Sequence, residues 1–140
     1  MGIIDTHAHY LREDFGEELY PLLDTMPQNG VEKIVAVGYD LKSSAEEVEL
    51  AHRYDFVYAA AGIHPENCYD LPADWFAQLE QLMQDERICA LGEIGLDYHY
   101  DNTDKDKQTE VFIKQLELAQ KLGKPVIIHS RDACEDTMTI

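Results

Sequence analysis

Ile3-Ile4-Asp5-Thr6-His7-Ala8-His9-Tyr10 is a short apolar run that ends in two histidines one residue apart. Read as a strand over Ile3–His9, it sends successive side chains to opposite faces, so His7 and His9 point the same way. Two imidazoles on one face at a strand end can hold one cation between them. They can equally be two separate polar residues closing a strand, and an H-x-H pair alone does not choose. The rest of the chain decides.

Outward from that stretch, helix-like and strand-like segments alternate. Glu13–Met26 reads as a helix, with Phe15, Leu19, Leu22 and Leu23 on one side and Pro21 able to kink or split it. Asn29-Gly30 is a stop signal, and Lys33–Val37 is the second strand. Ser43 or Ser44 can cap the next helix, which runs to about Arg53 and carries Glu46 and Glu47 in its first turn, where the helix dipole favours them. Phe56–Ile63 is the third strand and leads into His64-Pro65; Pro72–Asp85 is a helix with Trp75, Phe76, Leu79 and Leu82 on its apolar side. Arg87–Leu91 is the fourth strand, followed by Gly92-Glu93-Ile94-Gly95-Leu96-Asp97-Tyr98. Asn102–Leu122 is the clearest helix, with Phe112, Leu116 and Ala119 at helical spacing and Gly123 as its C-cap. Pro125–Ile128 is the fifth strand, ending at His129, and Asp132 can cap a further helix.

Strand–helix units recurring every ~30 residues imply parallel strands joined by crossover helices. The apolar strands Lys33–Val37 and Pro125–Ile128 suit burial on both faces. No linker or low-complexity tract interrupts residues 1–140, which read as one domain.

In a parallel sheet all C-terminal strand ends lie at one rim, where α/β folds place their chemistry. The first strand brings His7 and His9 there, the third His64, the fourth Glu93 and the fifth His129. Scattered polar residues should not collect at strand ends so regularly. Imidazole with carboxylate suits Zn, Mn, Fe, Co or Ni, whereas Mg prefers an all-oxygen shell. A bound divalent ion makes hydroxide available at neutral pH, so the reaction class is metal-assisted hydrolysis. Each residue also has a plainer role: His64 could close a turn, Glu93 could cap or pair locally, and His129 could be a satisfied polar group beside Arg131. His52 reads as solvated or a dipole partner, His99 as a loop residue, and Cys89 as core.

Composition narrows the partners. The net charge of −17 repels a nucleic-acid backbone and disfavours a passive nucleic-acid-binding module. It leaves room for an enzyme that meets phosphate through bound cations. No apolar run approaches the ~20 residues of a membrane span, so no membrane association is expected. No basic-then-apolar leader is seen, and three cysteines without C-x-x-C spacing favour a reducing cytoplasm over a disulfide framework.

Ile-Asp-Thr-His-Ala-His (4–9), Gly-Ile-His-Pro (62–65), Gly-Glu-Ile-Gly-Leu-Asp-Tyr (92–98), Gln108 with Phe112 and Gln115, and Pro-Val-Ile-Ile-His-Ser-Arg-Asp-Ala (125–133) together resemble the TatD family of metal-dependent deoxyribonucleases. The resemblance runs along essentially the whole chain. It implies a (β/α)8 TIM barrel of the metal-dependent hydrolase type, of which this chain supplies about the first five βα units. It further implies two divalent cations (Zn, Mn or Mg) and cleavage of DNA as substrate, as a 3′–5′ exonuclease or an endonuclease. Carried over by position, His7, His9, Glu93 and His129 are metal ligands, with Glu93 able to bridge both ions. His64 lies in the site and contacts substrate phosphate or tunes the metals. Asp97 supports the site from behind, and Arg131 binds phosphate or is structural.

Family members run to about twice this length, as a closed barrel of ~250 residues requires. The resemblance places a later His and a later Asp, the remaining ligands, beyond residue 140. Five strands alone leave the first and fifth edges unpaired. The chain is then expected to be a piece of a longer protein, or to pair with another copy as a homo-oligomer, and to be weakly active or inactive by itself. Two other readings stay open: a related amidohydrolase acting on a small ester, amide or lactone, and a non-catalytic fragment stable only as an oligomer.

Overall fold

A computed structural model describes residues 2–140. Its five strands are β1 (Ile3–Ala8), β2 (Val31–Val37), β3 (Val57–Ala61), β4 (Ile88–Asp97) and β5 (Val126–Arg131). They lie side by side in chain order, every neighbouring pair parallel. Parallel neighbours require each connection to return to the starting end, and helices supply that return. These are α1 (Arg12–Phe15), α2 (Leu19–Thr25), α3 (Leu41–Arg53), α4 (Trp75–Leu82), α5 (Lys105–Leu122) and α6 (Cys134–Thr139).

The two faces of the sheet bury different things. Ile34, Ala36, Val57, Ala59, Ile88 and Leu91 join Leu23, Val48, Leu79 and Phe112 from the helices in one large core. The other face holds only a small cluster of Val37, Ala60 and Ala90, edged by Val35, Cys89 and Ile127. The molecule is thus half of a barrel, with its helices outside and small residues inside. The strands at either edge lack the cover of the middle three. Ile3, Ile4 and Ile128 are exposed, so the burial on both faces expected of the fifth strand does not hold.

Local chemistry moves several expected boundaries. The first helix splits at Gly16 (φ +54), a conformation that favours glycine, while Pro21 sits harmlessly in the first turn of α2. The cap of α3 is Asp40 rather than Ser43 or Ser44. Its side chain accepts the Ser43 N–H at 2.7 Å, and the Ser43 hydroxyl accepts the Asp40 N–H at 2.9 Å, a capping box. Asp104, accepting the Lys107 N–H at 3.0 Å, starts α5 later than expected. Asp132 does not cap α6; it is exposed and lies 3.1 Å from His99 Nδ1. The fourth and fifth strands run on to Asp97 and Arg131, because Gly95, Leu96 and Asp97 pair with His129, Ser130 and Arg131.

Two buried polar side chains tie helices to the rim. Gln115 of α5 is fully buried; its Oε1 accepts the Ile63 N–H at 2.7 Å and its Nε2 donates to the Ile63 carbonyl at 3.1 Å. It stands in for a neighbouring strand and fixes the backbone just before His64. Gln115→Leu strands both Ile63 groups without partners, and each such loss costs ~1–3 kcal/mol. Urea unfolding should show a loss of about 3 kcal/mol; a change under 1 kcal/mol would argue against the clamp.

Glu47 is the second. Because α3 begins at Leu41, Glu47 lies beyond the first turn and is fully buried, not dipole-facing at the surface. Its Oε1 accepts the Tyr10 N–H at 2.8 Å, while Oε2 has no partner. Burial pushes its carboxyl up to about 7, against the pull of the Tyr10 N–H and with help from Glu46 and Asp14. The folded value lies above the ordinary 4.5, so the folded state holds a proton that the unfolded state has released. The resulting penalty is absent below the unfolded value and complete above about 7. Stability therefore falls as pH rises through this window. Glu47→Gln should shrink the stability difference between pH 5 and pH 8 by about 2–3 kcal/mol. Denaturant midpoints for both proteins at the two pH values check this, and parallel pH profiles would refute it.

Candidate metal centre

β1 ends with His7 inside the strand and His9 just after it, and the two rings lie 5.1 Å apart. They share a side, as alternation requires. The β1–β2 register shifts between Asp5 and Ala8, where His7 sits. The β4–β5 register shifts between Leu91 and Ile94, where Glu93 sits. Such irregularities re-aim side chains that regular pairing would hold elsewhere.

Glu93 is where the strands converge. Its Oε2 lies 3.2 Å from His7 Nε2 and 3.9 Å from His9 Nε2. Its Oε1 lies 3.1 Å from His129 Nδ1. The His64 ring packs edge-on against that of His129, with centroids 4.2 Å apart. Two donor groups result, His7–His9–Glu93 and His64–Glu93–His129, and within each the ligand atoms lie within 4.8 Å of one another. Bonds of ~2.0–2.2 Å from a central ion place N and O ligands ~3.3–4.4 Å apart, so small side-chain shifts bring each group to that spacing. The donor set therefore fits divalent cations, with Glu93 common to both groups.

Neighbouring groups orient the imidazoles. His9 Nδ1 donates to the Val37 carbonyl at 2.6 Å, which leaves the Nε2 lone pair toward Glu93. His129 Nε2 lies 2.9 Å from Asp97 Oδ2 and donates to it, leaving Nδ1 for the site. Burial would raise the Asp97 carboxyl, but the His99 N–H, His129 and the Arg131 charge together hold it below the ordinary range. It is therefore an anion behind His129. Burial draws the His64 imidazole below its usual value, and His129 adds to this. His64 Nδ1 accepts the Glu66 N–H at 3.2 Å, so a neutral ring carries its proton on Nε2.

The fold thus gathers six of the seven residues singled out in the sequence: His7, His9, His64, Glu93, Asp97 and His129. Arg131 pairs in register with Asp97 but is exposed at the end of β5, its guanidinium carbon 5.7 Å from the centre of the Tyr100 ring. Glu93 and His129 lie inside their strands rather than just past them. His52 is half-exposed and paired: its Nε2 meets Asp85 Oδ2 at 2.8 Å.

The description "TatD related DNase" is that of the family model matching residues 4–140. The chain belongs to the TatD-related DNase family. A metal-dependent hydrolase of Bacillus subtilis, YabD, is 41% identical over 138 residues, covering 99% of this chain and 54% of its own. The "3′-5′ ssDNA/RNA exonuclease TatD" of Edwardsiella piscicida is 31% identical over 132 residues, covering 94% of this chain and 51% of its own. The crystal structure of YJJV, a TatD homolog from Escherichia coli, superposes with a TM-score of 0.86 at 31% identity, covering 98% of this chain and 54% of that one. This TatD-family chain spans about half the length of the curated relatives it matches.

Sequence reasoning left Val37 and Glu47 without their supporting roles, and Gln108 and Gln115 as motif letters only. A carbonyl acceptor such as Val37 leaves no trace in side-chain pattern. For the glutamines a signal existed: Gln108, Val111, Phe112, Gln115, Leu118 and Ala119 form one buried face of α5, and a polar residue on an apolar stripe needs an internal partner.

Proposed function

We propose that this chain carries part of a two-cation phosphodiesterase centre that cleaves DNA as a 3′–5′ exonuclease, with His7, His9, Glu93 and His129 as the ligands. The observation that carries the reading is Glu93, whose two oxygens each face a different histidine group. Bound divalent cations would neutralise the phosphodiester and polarise it for hydrolysis. Glu93 would offer one oxygen to each cation position. Asp97 keeps His129 in the tautomer that presents Nδ1, and Val37 does the same for Nε2 of His9. His64, with its proton on Nε2, donates a hydrogen bond to a phosphate oxygen and takes part in catalysis. Arg131 meets the strand farther out at the rim. The activity named for the Edwardsiella relative supports the substrate class.

A 5′-labelled single strand tests this. Stepwise shortening from the 3′ end in Mn or Mg, abolished by EDTA, is the expected result. Because the chain carries part of the centre, slow turnover is expected, and hydrolysis of neither DNA nor a simple phosphodiester in a sample that binds Mn through these ligands would refute it. The net charge of −17 favours one competing reading, a small ester, amide or lactone as substrate. Turnover of such an ester with DNA untouched would establish it.

A further inference from the structure

Two tyrosines on the rim side of the sheet are exposed without being isolated. Tyr69 is 43% and Tyr100 50% exposed, and both line one cleft of about 250 Å³ with Glu66, Asn102, Thr103 and Gln108. The cleft is tied to the candidate metal centre through Gln108, which meets the backbone of Asp97, the partner of His129. Glu66 and Tyr69 follow closely on His64, and Tyr100 and Thr103 lie in the loop that leaves β4 at Asp97.

Both rings are held in place. Gln108 Oε1 accepts the Asp97 N–H at 2.9 Å, and Gln108 Nε2 donates to the Tyr69 hydroxyl at 3.0 Å. One side chain therefore fixes Tyr69 relative to the residue that orients His129. Tyr100 is flanked by the Arg131 guanidinium and, edge-on, by the His99 ring at 5.1 Å. A cleft with two ordered aromatic rings suits a flat π-system. Asn102, Thr103 and Gln108 add amide and hydroxyl groups that can meet the polar edge of a ring. No Lys or Arg lines the cleft and Glu66 does, so a phosphate is disfavoured there and an uncharged group is not.

We propose that the cleft between Tyr69 and Tyr100 takes an unpaired nucleobase of the strand whose phosphodiester lies at the Glu93 centre. The inference rests on the phosphodiesterase reading for its substrate and adds a subsite to it. A base still paired and stacked in a duplex cannot enter, so the site selects single strands or frayed ends. Arg131, already over Tyr100, is placed to meet the backbone that carries the base.

The test is equilibrium binding of fluorescently labelled single strands to the chain in Mn, with phosphorothioate linkages that resist cleavage. One strand is oligothymidine and the other is an abasic strand of equal length. Stacking of one base predicts about tenfold tighter Kd for the thymidine strand. Tyr100→Leu should erase the difference, and Tyr100→Trp should keep it, with circular dichroism showing that both variants fold. Equal Kd for the two strands, binding too weak to measure for both, or discrimination unchanged in Tyr100→Leu overturns the proposal. Hydrolysis of bis(4-nitrophenyl) phosphate in Mn by the unmodified chain separates the two ideas. Hydrolysis without base discrimination leaves the phosphodiesterase reading standing and removes the cleft. Base discrimination lost in Tyr100→Leu, with no phosphodiester hydrolysed, keeps the cleft and removes the phosphodiesterase.

Discussion

Titration of Mn or Zn into Glu93→Ala should show both cation sites weakened at least tenfold, whereas His7→Ala should weaken one. The contrast follows from where the oxygens of Glu93 lie. Oε2 belongs with His7 and His9, and Oε1 with His129. Alanine removes the only carboxylate the two groups share, and with it the one negative charge close to both positions. His7→Ala leaves Glu93 and His129, the proposed ligands of the other group, where they are. Losing a group that merely orients a ligand typically costs 10–100-fold in metal affinity, so losing a ligand should cost no less. Isothermal titration calorimetry reads both affinity and stoichiometry. Unchanged affinity in Glu93→Ala would sink the assignment, and equal loss of both sites in His7→Ala would mean that they are one.

Gly95→Ala should be the most damaging single-methyl change in the protein. Gly95 has φ +149 and pairs with His129, and a Cβ there would collide with the His129 carbonyl oxygen. The obstacle is backbone, so no rotamer change relieves it. Either β4 or β5 must shift, and His129 moves with it. Added to the unfavourable φ for an L-residue, the loss should reach about 3 kcal/mol or more. Urea unfolding measures it, and the same sample should lose cation binding at the His129 group first. A variant within 1 kcal/mol of the parent, with binding intact, would show that β5 can be displaced without consequence.

Gly95 also shows where sequence reasoning stops. The sequence pattern ends the fourth strand at Leu91, before Gly92-Glu93-Ile94-Gly95, where two glycines in four residues weaken a strand. In the structure they are strand. At Gly92 a Cβ would come within 2.7 Å of Ile127, and at Gly95 the constraint is again the close approach of β5. Proximity to a neighbour far along the chain is invisible in local pattern. The order of strands and helices was legible, since apolar runs separated by amphipathic stretches repeat without interruption. So was the gathering of His7, His9, His64, Glu93 and His129, since parallel strands share one rim. Their orienting partners were less so. Asp97 comes near the site by resemblance alone, and Glu47 falls beyond the first turn in which it is expected because the helix begins earlier than Ser43 and Ser44 imply. The placing of Arg131 beside Asp97 follows from the extra residues of β5, which extend the strand to that pairing.

The strand order β1-β2-β3-β4-β5 has a kinetic meaning. Among these five strands, each pairs with the one preceding it in synthesis, so none of these four pairings waits for a strand made much later. Sheet growth is then a succession of short loop closures, each costing far less entropy than joining distant ends. A nascent chain emerging from the ribosome can add one strand–helix unit at a time to a surface already formed. His7 and His9 are in place first, Glu93 joins them only with the fourth unit, and the centre is assembled in the same direction as the polypeptide itself.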